Sequence, residues 1–145
     1  MSRSISRELR QQVASRADFL CEYCLIADED TFFGCEVDHI ISLKHGGSSE
    51  LDNLAYACAF CNRHKGSDVG SILESGEFSR FYNPRIDRWA IHFQLLGSLI
   101  QPLTTIGEAT ARILQFNHSD QILERQALSA VDRYRNKSAL ARIEG

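Results

Sequence analysis

The sequence predicts an α+β fold built on a small metal-stapled module, and three observations carry that prediction. Two Cys-x-x-Cys pairs, Cys21/Cys24 and Cys58/Cys61, place four sulfurs on two tight turns. That is the number a structural Zn²⁺ takes in closed tetrahedral coordination. Between the pairs, Gly34 to Leu43 is rich in β-favouring residues and leads through Gly46-Gly47-Ser48-Ser49 towards Asn53, the pattern of a hairpin. Outside them, apolar residues recur at helical spacing near both ends of the chain.

In chain order, Ile5, Leu9, Val13 and Ala17 recur every four positions and predict a helix over 5–17, with Ser4 as N-cap and Glu8 in the early turns. The hairpin follows, with His39 on its first strand. A short helix is expected from near Ala59, carrying Asn62 and Lys65 three apart on one face and ending at Gly66. Phe81-Tyr82-Asn83-Pro84 marks a break. From Arg88 to Ile100, Trp89, Ile91, Phe93 and Leu95 alternate, which predicts a strand pair turning near Gly97. Thr105-Ile106-Gly107-Glu108 fits a capping box ahead of a helix whose apolar face is Ile106, Ala109, Ile113 and Phe116. A last helix is expected after Ser119, with Leu123, Ala127, Ala130, Val131 and Tyr134 inward and Glu124, Arg125, Asp132 and Arg133 in water. The division expected is 1–70 for the stapled module and 71–145 for a strand-pair and helical extension packed on the same domain.

With 43% hydrophobic and 24% charged residues in 145, the chain lies in the ordinary globular range and can bury a modest core. It has no apolar run long enough for a bilayer and no secretory segment near Met1, so a soluble, cytoplasmic protein without a membrane partner is expected. Paired cysteines could instead be redox-active or disulfide-linked, but the flanking Asp-His and Asn-x-x-Lys favour zinc. The fifth cysteine, Cys35, reads as a small buried apolar residue. Net charge is −3, and residues 21–60 hold eight acids against one lysine, which argues against a broad electrostatic footprint for nucleic acid. Arginines at 3, 7, 10 and 16, and cations at 63, 65, 80, 85 and 88, remain for phosphates or as solvated faces.

Asp38-His39 sets an oxygen ligand beside an imidazole, and Asn62-Arg63-His64-Lys65 adds a second oxygen ligand followed by cations. Those are the parts of a metal-assisted phosphodiesterase. Taken together, Cys-x-x-Cys, Asp38-His39-Ile40-Ile41, Gly46-Gly47, Asn53-Leu54 and Cys58-x-x-Cys61-Asn62-x-x-Lys65 resemble the HNH nuclease family in its zinc-stapled form. The resemblance implies a ββα-metal, treble-clef-like module holding one catalytic divalent ion. It maps His39, Asn53 and Asn62 onto the three letters of the name, an HNN variant. An amide oxygen in the third place suits Mg²⁺ or Mn²⁺ better than Zn²⁺ or Ni²⁺.

By that resemblance His39 is the general base, since an imidazole can take a proton near neutral pH. Asp38 and Asn62 hold the ion, and Asn53 ties the loop backbone so that the hairpin and His39 keep register. Lys65 and Arg63 are candidate phosphate contacts, with a solvated helix face as the alternative. The partner implied is nucleic acid, foremost double-stranded DNA, cut by a monomer, a homodimer or a chain working with a protein partner. A zinc-binding interaction module with a dormant site is the competing reading, and an RNA-directed nuclease is the weaker third.

Overall fold

A computed structural model describes residues 5–145, so Arg3 and the expected cap Ser4 lie outside the described residues. Helix α1 (Arg7–Arg16) is shorter than the expected 5–17 span because Ser6 caps it, its Oγ accepting the Leu9 N–H at 3.1 Å. Glu8 in the first turn and Arg16 in the last complement the helix dipole. Val13, Ala14 and Ala17 are buried against Leu54 and Tyr56, with Ile5, Leu9 and Val37 at the rim of this small cluster.

Strand β1 (Cys35–His39) pairs antiparallel with β2 (Leu54–Cys58), setting Cys35 opposite Cys58 and His39 opposite Leu54. The strand ends at His39, short of the expected Leu43, because the Asn53 side chain replaces a strand as partner for Ile41. Its Oδ1 accepts the Ile41 N–H and its Nδ2 donates to the Ile41 carbonyl, each at 2.9 Å. All of β2 is buried, Leu54 and Tyr56 facing α1 while Ala55 and Ala57 enter the main core. Helix α2 (Ala59–Lys65) follows directly and stops at Gly66, whose φ of +53° an L side chain rarely adopts. Helix, hairpin and α2 together give the α+β, ββα arrangement expected for the module.

The C-terminal half adds two hairpins and four helices. Strands β3 (Gly70–Ile72) and β4 (Phe78–Arg80) pair, as do β5 (Phe93–Leu96) and β6 (Leu99–Pro102), the latter turning at Gly97. Between the hairpins lies α3 (Trp89–His92), which corrects the expected strand from Arg88: Trp89, His92 and Phe93 are buried at helical spacing and Ile91 is 55% exposed. Helix α4 (Thr105–Ile113) is capped one residue early, by Thr104, whose Oγ1 accepts the Gly107 N–H at 3.1 Å.

Helix α5 (Ser119–Ala130) forms where expected but is rotated about its axis. Leu123 is 61% exposed while Arg125, expected in water, is 2% exposed; the helix ends before Val131, which is exposed, and Tyr134, which is buried as expected. The Arg125 guanidinium donates to the Ser98 carbonyl at 2.7 Å, the Phe116 carbonyl at 2.8 Å and Asn117 Oδ1 at 3.2 Å, joining the turn of one hairpin to the end of α4. Helix α6 (Lys137–Glu144), capped by Asn136, has no counterpart in the sequence reading.

One apolar core crosses the expected division at residue 70. Leu20, Tyr23, Leu25 and Ala57 share it with Tyr82, Trp89, Phe93, Leu114 and Phe116. The ring of Phe93 meets those of Trp89, Tyr82 and Phe116 at centroid distances of 5.1, 5.5 and 5.5 Å, so Trp89, Phe93 and Tyr82 are core residues. Two polar handles fasten the halves: Trp89 Nε1 donates to the Tyr23 carbonyl and the Tyr134 hydroxyl to the Cys24 carbonyl, each at 2.8 Å.

Candidate active site

The first cysteine pair lies on the turn after α1, closed by the Cys21 N–H donating to the Ile26 carbonyl at 2.8 Å. The second spans the end of β2 and the first turn of α2. This brings the Sγ atoms of Cys21, Cys24, Cys58 and Cys61 within 4.8 Å of one another, and Cys24 and Cys58 to 3.8 Å. Tetrahedral Zn–S bonds of about 2.3 Å require sulfurs about 3.8 Å apart, so the donor set and its spacing suit zinc. The N–H groups of Cys24 and Cys61 point at Cys21 Sγ and Cys58 Sγ, at 3.5 and 3.4 Å, where they favour thiolates. Burial opposes charge on Cys21, yet S–H donation from Cys24, Cys58 and Cys61 outweighs it and holds this thiol well below its ordinary range. Cys24 and Cys61 are pushed well up by the same sharing with Cys21. A metal therefore enters by displacing protons. Cys35 stands outside the cluster, its thiol pushed up chiefly by burial.

On the other side of the module the strand period sorts the candidates. Glu36 and Asp38 fall on the face of β1 that α2 covers, and α2 meets each with one side chain. Asn62 Nδ2 donates to Glu36 Oε1 at 2.7 Å, and Lys65 Nζ lies 3.1 Å from Asp38 Oδ2 and 3.3 Å from Oδ1. Asp38 also accepts from the Tyr23 hydroxyl at 3.0 Å. Burial pushes the Asp38 carboxyl up against the pull of Lys65.

Lys65 departs from both readings the sequence left open. It is 1% exposed, and its ammonium is committed to Asp38 and to the His39 carbonyl at 3.0 Å, so it neither reaches a phosphate nor lies on a solvated face. Arg63 is exposed but turns the other way on α2, lining a hollow with Phe33, Phe60 and Glu124. His64 stacks on Phe60 and its Nδ1 contacts the Phe60 carbonyl at 2.8 Å, which occupies it away from the Asp38 face.

His39 is half-buried, and its Nε2 lies 3.0 Å from Ser49 Oγ. Asn53 ties the loop that carries Ser49: besides Ile41, its Nδ2 donates to the Ser48 carbonyl at 2.7 Å. The knot requires Gly47, where a Cβ would sit 1.7 Å from the Ile41 carbonyl oxygen and 2.7 Å from Asn53 Nδ2. Glu36, Ser49 and Tyr23 contact the candidate residues and were missed in the sequence. The strand period could have found Glu36, which shares a face with Asp38; the other two depend on loop closure.

Glu36 sets a carboxylate beside Asn62, while the buried Asp38 carboxylate is taken up by Lys65 and Tyr23. Fold and site thus define a cysteine-stapled ββα-metal module. A family model described as HNH endonuclease matches residues 21–68, and the four clustered cysteines in that segment are consistent with a zinc-stapled form of it. That family acts on nucleic acids, so the match suggests nuclease-type activity or nucleic-acid interaction for the segment. No curated protein and no solved structure matches the chain. Among the described residues no helix is long and apolar enough to cross a membrane.

Proposed function

We propose that the protein is a divalent-metal-dependent endonuclease that hydrolyses DNA phosphodiester bonds, with His39 as general base. The observation that carries this reading is the fixing of His39 from both ends, its ring by Ser49 and its carbonyl by Lys65, one residue from Asp38. In the tautomer that donates Nε2–H to Ser49 Oγ, Nδ1 keeps the lone pair that takes the proton from water. Asp38 and Asn62 would hold Mg²⁺ or Mn²⁺, which when bound supplies Lewis-acid stabilisation of the phosphoryl oxygens and the leaving 3′ oxygen. Asn53 and Gly47 keep the Ser49 loop closed on the imidazole, and the four cysteines would hold a zinc that braces the end of β2 against α2.

A second reading, a nucleic-acid or protein interaction module with a dormant site, is favoured by one observation: the Lys65 ammonium already balances the Asp38 carboxylate. Incubating supercoiled plasmid with zinc-loaded protein and Mg²⁺, Mn²⁺ or no added ion, beside His39→Ala, separates the two. Metal-dependent nicking or linearisation that disappears in the variant supports the nuclease. No cleavage from zinc-loaded, folded protein supports the module. A matched RNA in parallel decides the nucleic acid, and the DNA product decides between a single-strand nick and a double-strand cut by a dimer.

A further inference from the structure

Four arginines converge on a cavity of about 290 Å³ beside the module: Arg16 at the end of α1, Arg85 and Arg88 ahead of α3, and Arg142 on α6. Arg16 donates to the Leu51 carbonyl at 2.9 Å and the Leu54 carbonyl at 2.7 Å, which clamps the cavity to the segment holding Asn53 and to the residue paired with His39. Arg142 reaches Asp18 Oδ2 at 3.0 Å, and Arg88 donates to the backbone oxygen of Gly145.

The acids nearby are already committed. Glu22 pairs with Arg85 through Oε2 and accepts the Tyr56 N–H through Oε1 at 2.9 Å, while Asp87 takes both donors of Arg80 and the Asn83 N–H. Arg85 Nη1 is buried without a hydrogen-bond partner among the described residues. A buried guanidinium N–H left without an acceptor is unfavourable, and a group bringing oxygen to it relieves the deficit. The Arg16 guanidinium is pushed down by burial and then by the Arg85 charge, a repulsion that an anion between them would relieve.

Guanidinium forks match phosphate oxygens two at a time. We propose that this cavity is a phosphodiester subsite, taking a backbone phosphate of the DNA strand outside the cleavage centre. The choice of DNA rests on the nuclease reading above; the recognition of a phosphate by four convergent arginines does not. The subsite concentrates on one spot the positive charge that a chain of net charge −3 lacks as a broad patch.

The test is binding of a labelled DNA duplex, read by fluorescence anisotropy over a salt series, with no divalent ion added and His39→Ala as parent. Arg88→Gln and Arg142→Gln are each expected to weaken binding about three- to tenfold and to lower the slope of log affinity against log salt by about one. Arg133→Gln, outside the cavity, leaves both unchanged. Melting curves and zinc content establish folding. Should a Gln variant fail to fold, Arg88→Lys and Arg142→Lys replace it, with affinity lost and slope kept. Folded variants that bind DNA like their parent overturn the subsite and leave the nuclease standing. A parent that binds no DNA, with wild type that cleaves none, overturns both. Stabilisation by inorganic phosphate that Arg142→Gln abolishes, without an effect on DNA binding, assigns the cavity to free phosphate and overturns the DNA assignment.

Discussion

At the scale of single residues, His39, Asn53 and Lys65 do three separable jobs. On the nuclease reading His39→Ala should reduce cleavage about 10²–10⁴-fold while zinc content and melting temperature stay at wild-type values, because His39 Nε2 pairs with Ser49 and the ring is not part of the cysteine cluster. Asn53→Ala removes three hydrogen bonds to loop backbone, so stability should fall by about 1–2 kcal/mol and cleavage at least about tenfold together; thermal melts and plasmid assays read the two losses.

Lys65→Met leaves a carboxylate of 5% exposure without its cation, at a cost of about 3–5 kcal/mol, measurable by urea unfolding. The sign with pH follows from Asp38. Its folded pKa is raised, so its contribution to stability is present below the unfolded value and lost as pH rises through the folded one. Removing Lys65 raises that pKa further. The deficit of Lys65→Met against wild type should therefore shrink as pH falls from neutral towards mild acid, and Asp38→Asn in the same background should abolish the dependence.

Among the elements, legibility tracked how local the determining contact is. The hairpin and α2 were readable because their signals lie on adjacent residues: β-favouring runs, two cysteine turns, and Gly66 as a stop. Asp38, His39, Asn53 and Asn62 were singled out by the resemblance to the HNH pattern, and the structure brings Glu36, Asp38, Asn62 and Lys65 to one strand–helix face. The exposure of Lys65 was not readable, since its burial depends on a carboxylate 27 positions earlier.

Helix α5 was read in the wrong rotation for a similar reason. Periodicity ranks Leu123 above any arginine for the core, but the carbonyls of Ser98 and Phe116 need a donor, and Arg125 has five N–H groups to give. Arg125→Leu should destabilise the chain by about 3 kcal/mol despite adding apolar surface, because those acceptors are left dry. Leu123→Glu on the exposed face should change stability by less than about 0.5 kcal/mol. Chemical denaturation of both variants tests the assigned rotation directly.

For the molecule as a whole, the shared core predicts a single cooperative transition. Cys58→Ser, or stripping zinc with a chelator, should unfold the C-terminal helices along with the module, so that near-ultraviolet circular dichroism of Trp89 collapses in step with zinc release. Two unlinked transitions would refute a common core.

The two bonds that Trp89 and Tyr134 make to the first cysteine turn give zinc retention a long reach. The Tyr134 hydroxyl grips the carbonyl of Cys24 from 110 residues further along the chain, and Trp89 grips its neighbour Tyr23. Linkage is reciprocal: if bound zinc favours the folded C-terminal half, that half in turn tightens the hold on zinc by the same free energy. Metal affinity is then a property distributed over the chain, and Tyr134→Phe, which removes none of the four cysteines, should lose zinc to a chelator faster than wild type.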